Sequence, residues 1–312
     1  MKILLAHNHY IQRGGEDTAY HAEKEILQSR GHRIIEYKDH NARIREMGRI
    51  QLGLNTLFSV SSRTRLRKTL AQHRIELAHF QNIFPLISPS AYYACQDMST
   101  PVVQTLHNFR LICPSAMLFR SGVPCESCVG RVVAWNGVLH RCYRGSTMQT
   151  AAVALMQSLH KLLDTWNSKV DIYVALTIFG KSKFVAGGLD AGKIVVKPNC
   201  IQSDPGSRPD GGRYALFVGR LSREKGLGTL LEAARKAPSV PLKIIGIGSL
   251  FNDLASAVQE SRLNNIELCG FLCQNEILSF MKGARFLIFP SEWYEGFPLT
   301  LVESFACGLP VV

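Results

Sequence analysis

At 312 residues the chain is long enough for two domains of ordinary size, each with its own core. Its 46% apolar and 19% charged residues are those of a folded globular protein and exclude a disordered or collagen-like chain. The net charge of +12 is uneven: residues 1–205 carry 25 Lys/Arg against 14 Asp/Glu, and residues 206–312 carry 11 against 10.

Residues 1–8 are too short an apolar run for a secretory signal and read as a buried first strand over 2–7. The loop 9–15 leads into a helical pattern carried by Ala19, Ala22, Ile26 and Leu27, which Gly31 ends. A second strand is predicted over 33–37. The segment 41–74 is the most basic in the chain, with Arg43, Arg45, Arg49, Arg63, Arg65, Arg67, Lys68 and Arg74 against Glu46 alone. Ile44, Met47, Ile50, Leu54, Leu57, Phe58, Leu66 and Leu70 are interleaved there. Such a basic, partly amphipathic stretch reads as a surface for anionic lipid, or as a solvated helical face packed on a sheet by its leucines. Short apolar strands follow at 77–80, 102–106, 172–176 and 194–197, with a core helix around Ala151–Met156. No apolar stretch approaches the roughly 20 residues needed to cross a bilayer.

The polar run 202–212, rich in Pro and Gly, marks a hinge and divides the chain into domains 1–204 and 205–312. The second domain repeats the alternation: strands over 214–218, 242–247, 266–268 and 286–289, and helices over 228–237, 250–261 and 275–282. Alternation of this kind predicts α/β architecture, a parallel sheet with helices on both faces in each domain.

Nine cysteines are present. Without an export signal they read as reduced thiols. Cys113, Cys125, Cys128 and Cys142 cluster in a loop-rich segment holding Gly122, Pro124, Gly130 and Gly137. The Cys-x2-Cys pair with two flanking cysteines is compatible with a structural Zn²⁺ of the four-thiolate type, His140 being an alternative ligand. Scattered structural thiols and a redox pair are the other readings.

Residues 295–303, Glu-Gly-Phe-Pro-Leu-Thr-Leu-Val-Glu, follow an apolar strand and run into a helix. A helix start after a strand presents free N–H groups and the positive end of the macrodipole, which suits phosphate. Two acids framing that turn would repel bare phosphate, but they accept hydrogen bonds from hydroxyls. Phosphate and polyol on one turn point to a nucleotide sugar. The segment resembles the Glu-x7-Glu signature of family-4 retaining glycosyltransferases of group 1, which have the GT-B fold. Three other segments agree in order. Residues 217–226, Phe-Val-Gly-Arg-Leu-Ser-Arg-Glu-Lys-Gly, resemble the family's phosphate-binding segment. Lys197-Pro198-Asn199-Cys200-Ile201 resembles its interdomain segment, with Cys200 replacing glycine. Arg13-Gly14-Gly15-Glu16 resembles its N-terminal glycine loop.

The resemblance implies two Rossmann-like domains facing across a cleft, an N-terminal acceptor side and a C-terminal donor-binding side. It implies that Arg220 and Lys225 bind the diphosphate of a UDP- or GDP-sugar in place of a metal, so that catalysis needs no cofactor. Gly296, Phe297 and Leu299 supply backbone amides, Glu303 accepts from ribose hydroxyls, and Glu295 contacts the transferred sugar. Gly14 and Gly15 lie against the donor phosphate. His107, in Thr105-Leu106-His107-Asn108, resembles the family's Thr-x-His-Asp and meets the sugar near the reacting carbon; the alternative is a satisfied core histidine. His7 and His9, at the end of the first strand, are weaker candidates. Family members continue with further strands and helices beyond the point matching residue 312, so the resemblance implies an incomplete second domain, as a fragment or a truncation.

The leading expectation is a glycosyltransferase at the cytoplasmic membrane face, acting on a glycan or lipid-linked acceptor in surface polysaccharide synthesis. No carboxylate nucleophile for double displacement stands out in the first domain beyond Glu16, so retention implies a front-face substitution. A zinc-containing nucleic-acid-binding protein is the second reading. It leaves the acidic turn unexplained and lacks interleaved aromatics beyond Phe58, so nucleic acid is not an expected partner. A non-catalytic nucleotide-binding remnant is the third.

Overall fold

The computed structural model describes residues 1–11, 14–201, 203–207 and 211–312. Two compact units result: Met1–Leu118 with Cys125–Gln202, and Phe119–Pro124 with Ser203–Val312. Residues 202 and 208–210 of the expected hinge lie outside the described residues.

The first unit begins with β1 (Lys2–His9), α1 (Gly15–Ser29) and β2 (Arg33–His40). The basic stretch then forms a 3-10 turn (Asn41–Glu46) and two helices, α2 (Arg49–Leu57) and α3 (Val60–His73). Next come β3 (Leu77–Asn82), α4 (Ser90–Asp97) and β4 (Val102–Leu106). The short hairpin β5 (Phe119–Arg120) and β6 (Val123–Pro124) clusters with the second unit. The first unit closes with α5 (Trp135–Leu139), α6 (Thr147–Leu162), α7 (Thr165–Ser168), β7 (Ile172–Ala175), α8 (Ile178–Ala186) and β8 (Ile194–Val196).

The six main strands pair in parallel in the order β2-β1-β3-β4-β7-β8. Ile3, Leu4, Leu5 and Ala6 are buried without alternation, as a central parallel strand covered on both faces requires. The chain steps from β1 outward to β2 and then crosses to β3 on the other side. Such a reversal opens a crevice at the carboxyl ends of the two strands, the usual ligand position in open α/β sheets. Strand β1 runs two residues past its expected end. His7 and Asn8 are polar, which stops a reading by hydrophobicity, yet both are fully buried. His7 Nε2 meets Asp17 and Asn8 Nδ2 donates to Asn41, so polar side chains are held inside and the strand continues.

The basic stretch is less bare than its sequence suggests. Asp39 on β2 pairs with Arg43 and Arg65, and Asp97 on α4 pairs with Arg63 and Arg67. Acids distant in sequence thus neutralise four of its eight cations locally.

The second unit holds β9 (Tyr214–Val218), α9 (Leu227–Lys236), β10 (Leu242–Ile245), α10 (Phe251–Glu260), β11 (Ile266–Gly270), α11 (Gln274–Gly283), β12 (Ala284–Leu287) and α12 (Leu299–Ala306). Its sheet is parallel in the order β11-β10-β9-β12, so the reversal lies between β9 and β12. Alternate residues of β9 feed opposite cores. Ala215 and Phe217 join Leu230 and Leu254, whereas Leu216 joins Met281, Leu287 and Leu309. Period-2 alternation with helices on both sides is the doubly wound pattern. Strand β10 stops at Ile245 rather than 247. Gly246 has φ +143, and a Cβ there would lie 1.9 Å from the Gly219 carbonyl oxygen. Near the end of the chain, Val311 makes a single parallel bridge to Leu287.

Candidate functional site

In the second unit the switch point gathers two connections. The β9–α9 turn carries Arg220, Ser222, Glu224, Lys225 and Gly226; the loop from β12 to α12 carries Ser291, Trp293, Glu295 and Gly296. Their backbones are laced together. The Glu292 N–H donates to the Glu224 carbonyl at 2.9 Å, and a Cβ on Gly226 (φ +67) would lie 1.9 Å from the Pro290 carbonyl oxygen. No side chain fits there, so glycine allows the two loops to touch.

That contact brings Lys225 to Glu295: Nζ donates to Oε1 at 2.6 Å, with both side chains mostly buried. The Ser291 hydroxyl donates to the same carboxylate oxygen at 2.7 Å. Lys225 Nζ also lies 5.4 Å from the Trp293 ring centroid and 5.8 Å from that of Phe289. The ammonium has three donors and uses one on Glu295, leaving capacity for phosphate oxygens. Among the described residues, the buried Trp293 Nε1 donates to no group. It carries a hydrogen that only an acceptor can satisfy, on the loop that holds Glu295.

Arg220 is exposed and donates from Nη2 to Glu224 at 2.9 Å. Burial of Glu224 opposes its charge, but the Ser222 hydroxyl, backbone and Arg220 outweigh it, and its carboxyl titrates below the ordinary range. Glu224 is therefore an anchor that aims the guanidinium. Sequence reasoning treated Arg220 and Lys225 as cations left for a ligand; in the fold each is preset by a carboxylate.

Glu303 is buried one turn into α12, and burial raises its pKa against the help of Gln274. Its partner is thus Gln274 on α11, and Lys225 and Arg220 are held by other acids. Helix α12 starts at Leu299 after Pro298, with no side-chain cap on its first amides. Phe297 and Gly296 lie in the approach to that helix.

In the first unit, the carboxyl ends of β1, β3 and β4 carry His7, His9, Gln81 and, just past β4, His107. Gln81 donates from Nε2 to Glu23 at 2.9 Å and contacts His107 Nε2 through Oε1. Carboxylate oxygens only accept, so the Gln81 amide is oriented and its oxygen needs a donor. His107 is thereby the Nε2–H tautomer, with Nδ1 left as an acceptor. Lys197 completes the chain by donating to Glu23 at 3.1 Å.

Burial takes His107 from an ordinary 6.5 down to about 4. Between those values the unfolded chain binds a proton that the fold refuses. The contribution of this group to stability is complete above pH 6.5 and is lost as pH falls toward 4. In a His107→Gln variant the melting temperature therefore declines less steeply than in the parent between pH 6.5 and about 4.5; parallel declines would contradict the assignment.

Gly14 is the N-cap of α1, and its N–H donates to Asp17 Oδ2 at 3.0 Å. A Cβ on Gly14 or Gly15 would meet nothing within 4 Å, so the entry to α1 is open. Arg13 lies outside the described residues. Glu16 is committed locally, accepting from Tyr10 at 3.0 Å and Asn108 at 2.7 Å.

The four thiols of the expected zinc set, Cys113, Cys125, Cys128 and Cys142, all belong to the first unit. Among the described residues, the group of three or more His, Cys, Asp or Glu with ligand atoms mutually within 4.8 Å is His7, His9 and Asp17. Cys113 is buried with Sγ 3.2 Å from the Ser115 hydroxyl, Cys125 lies beside Ser127, and Cys128 and Cys142 are half-buried.

Residues 201–312 match the family described as Glycosyl transferases group 1. The chain is 36% identical over 99 residues to an uncharacterized glycosyltransferase of Methanocaldococcus jannaschii, covering 32% of this chain and 28% of that protein. It is also 36% identical over 107 residues to the amylovoran biosynthesis glycosyltransferase AmsK of Erwinia amylovora, covering 31% and 26%. The matched segment thus spans less than a third of these relatives. Among solved structures, Anabaena Alr3699/HepE in complex with UDP and glucose superposes with a TM-score of 0.63 at 16% identity, over 100% of this chain and 80% of that one. At that identity the likeness is one of fold, GT-B.

Proposed function

We propose that the protein, whose residues 201–312 match the group 1 glycosyl transferases and whose fold is GT-B, transfers a sugar from a nucleotide-diphosphate sugar to a glycan or lipid-linked acceptor, with retention of anomeric configuration. The observation that carries this reading is the Lys225–Glu295 pair at the β9/β12 switch point, beside the capless start of α12. Lys225 and Arg220 stabilise the diphosphate as it leaves, so positive charge is in place before the bond breaks. Glu295 accepts from sugar hydroxyls, and Glu303, whose pKa burial raises, accepts from the ribose hydroxyls.

In the step itself the bond from the anomeric carbon to the phosphate oxygen breaks. The acceptor oxygen bonds to that carbon on the same face, and its proton passes to the departing phosphate. The relative in amylovoran biosynthesis and the neighbour crystallised with UDP and glucose support a UDP-sugar and a polysaccharide product. Product anomers followed by NMR test the reaction class: retention is expected, and an inverted product overturns it.

We further propose that the first unit rests on a membrane surface. No helix among the described residues is long and apolar enough to cross one. Helix α6 nevertheless exposes Met148, Leu155, Leu159 and Leu162 on one face, and the adjacent α2 exposes Ile50 (82%) and Leu54 (60%). Arg45 and Arg49 flank that ridge without ion pairs in the described residues. Apolar residues rimmed by arginine suit an anionic bilayer. An Ile50→Asp, Leu162→Asp double variant is expected to bind phosphatidylglycerol vesicles at least about tenfold more weakly, with unchanged circular dichroism; undiminished sedimentation with vesicles contradicts the assignment.

A further inference from the structure

Where β1 ends and α1 begins, three side chains converge on one point. His7 Nε2 lies 3.1 Å from Asp17 Oδ1, and His9 Nδ1 lies 2.9 Å from the same oxygen. His7 and Asp17 are buried, while the His9 side chain keeps 17% of its surface exposed. We propose that His7, His9 and Asp17 form a binding site for a borderline divalent cation of the zinc class, with a water on the His9 side completing the shell.

The donor set fits the ion: two imidazole nitrogens and one carboxylate oxygen is a common three-ligand zinc arrangement. The spacing fits as well. Ligands at zinc bond lengths in a tetrahedron lie about 3.3 Å apart. The observed 2.9 and 3.1 Å need only a few tenths of an ångström of opening. Asp17 is also oriented from behind, since its second oxygen accepts the Gly14 N–H at 3.0 Å, the kind of outer hydrogen bond that fixes a ligating carboxylate.

The cost in hydrogen bonding is neutral. His7 Nδ1 is buried without a partner. With Nε2–H bonded to Asp17, the orphan is an acceptor; with Nε2 on a metal, the orphan becomes a donor. Ligation therefore adds no further unsatisfied atom. The bound ion would tie the last residues of β1 to the first turn of α1 and so fix the Gly14–Gly15 entry. Nothing in this proposal depends on sugar transfer.

The test uses the full chain stripped with chelator, reloaded with Zn²⁺ or Co²⁺ and dialysed. One ion per chain is expected. His9→Ala and Asp17→Asn should each weaken binding at least about tenfold, while a Cys125→Ser, Cys128→Ser variant keeps it. The Co²⁺ spectrum of the unaltered chain needs no variant to fold: it should show the bands of a nitrogen- and oxygen-ligated ion without thiolate charge transfer. Substoichiometric metal, a thiolate spectrum, or full retention of metal by folded His9→Ala would each overturn the site.

Discussion

Lys225→Ala is expected to lower kcat/KM for sugar transfer by about 10²–10³, a loss of roughly 3–4 kcal/mol of transition-state stabilisation. Two effects act together. The ammonium that meets the departing diphosphate is gone, and Glu295, paired to it at 2.6 Å and mostly buried, is left as an uncompensated carboxylate facing an anionic ligand. Donor affinity and turnover should therefore fall together. Glu295→Gln separates the two functions. The amide keeps the shape and an acceptor for Ser291 and Lys225, so nucleoside diphosphate binding should stay within a few-fold while transfer drops. Loss of nucleotide binding in Glu295→Gln, or unchanged kinetics in Lys225→Ala, would contradict these roles.

Gly226→Ala is expected to destabilise the second unit by about 3–5 kcal/mol, visible as a melting transition lower by roughly 10 °C. The backbone sits at φ +67, which costs an L-residue about 1–2 kcal/mol. The larger effect is steric: the new methyl would lie 1.9 Å from the Pro290 carbonyl oxygen, a backbone atom that cannot swing aside. The β9–α9 turn must then part from the loop after β12, and the Lys225–Glu295 pair parts with it. Gly228→Ala is the control. It is two residues on, exposed in α9, with nothing within 4 Å of an added Cβ, and alanine is the better helix former by about 1 kcal/mol. It should hold or raise the melting temperature. Equal losses in the two variants would show that the close approach at Gly226 is not what fixes the site.

Much of the second unit was legible because its signals are local. Apolar runs of four or five residues separated by amphipathic helices give β9, α9, β10, α10, β11 and α11 to within a few residues. The acidic turn at Glu295–Glu303 and the Arg220/Lys225 segment were readable for the same reason. What escaped depends on contacts distant in sequence. Asp17 reads as an ordinary first-turn acid until β1 runs on to His9 and folds two imidazoles onto it. Gln81 is an unremarkable polar residue until Glu23 fixes its amide and His107 takes the oxygen. The cationic surface at 41–74 seemed uncompensated because its acids, Asp39 and Asp97, lie outside the stretch on other elements.

The most direct test of the donor site is calorimetric titration of UDP- and GDP-sugars into the unaltered chain and into an Arg220→Ala, Lys225→Ala double variant of matched circular dichroism. Saturable binding of one donor to the parent, weakened at least about a hundredfold in the double variant, is the predicted result. Donor affinity that survives the loss of both cations would contradict a diphosphate site at the β9/β12 switch point.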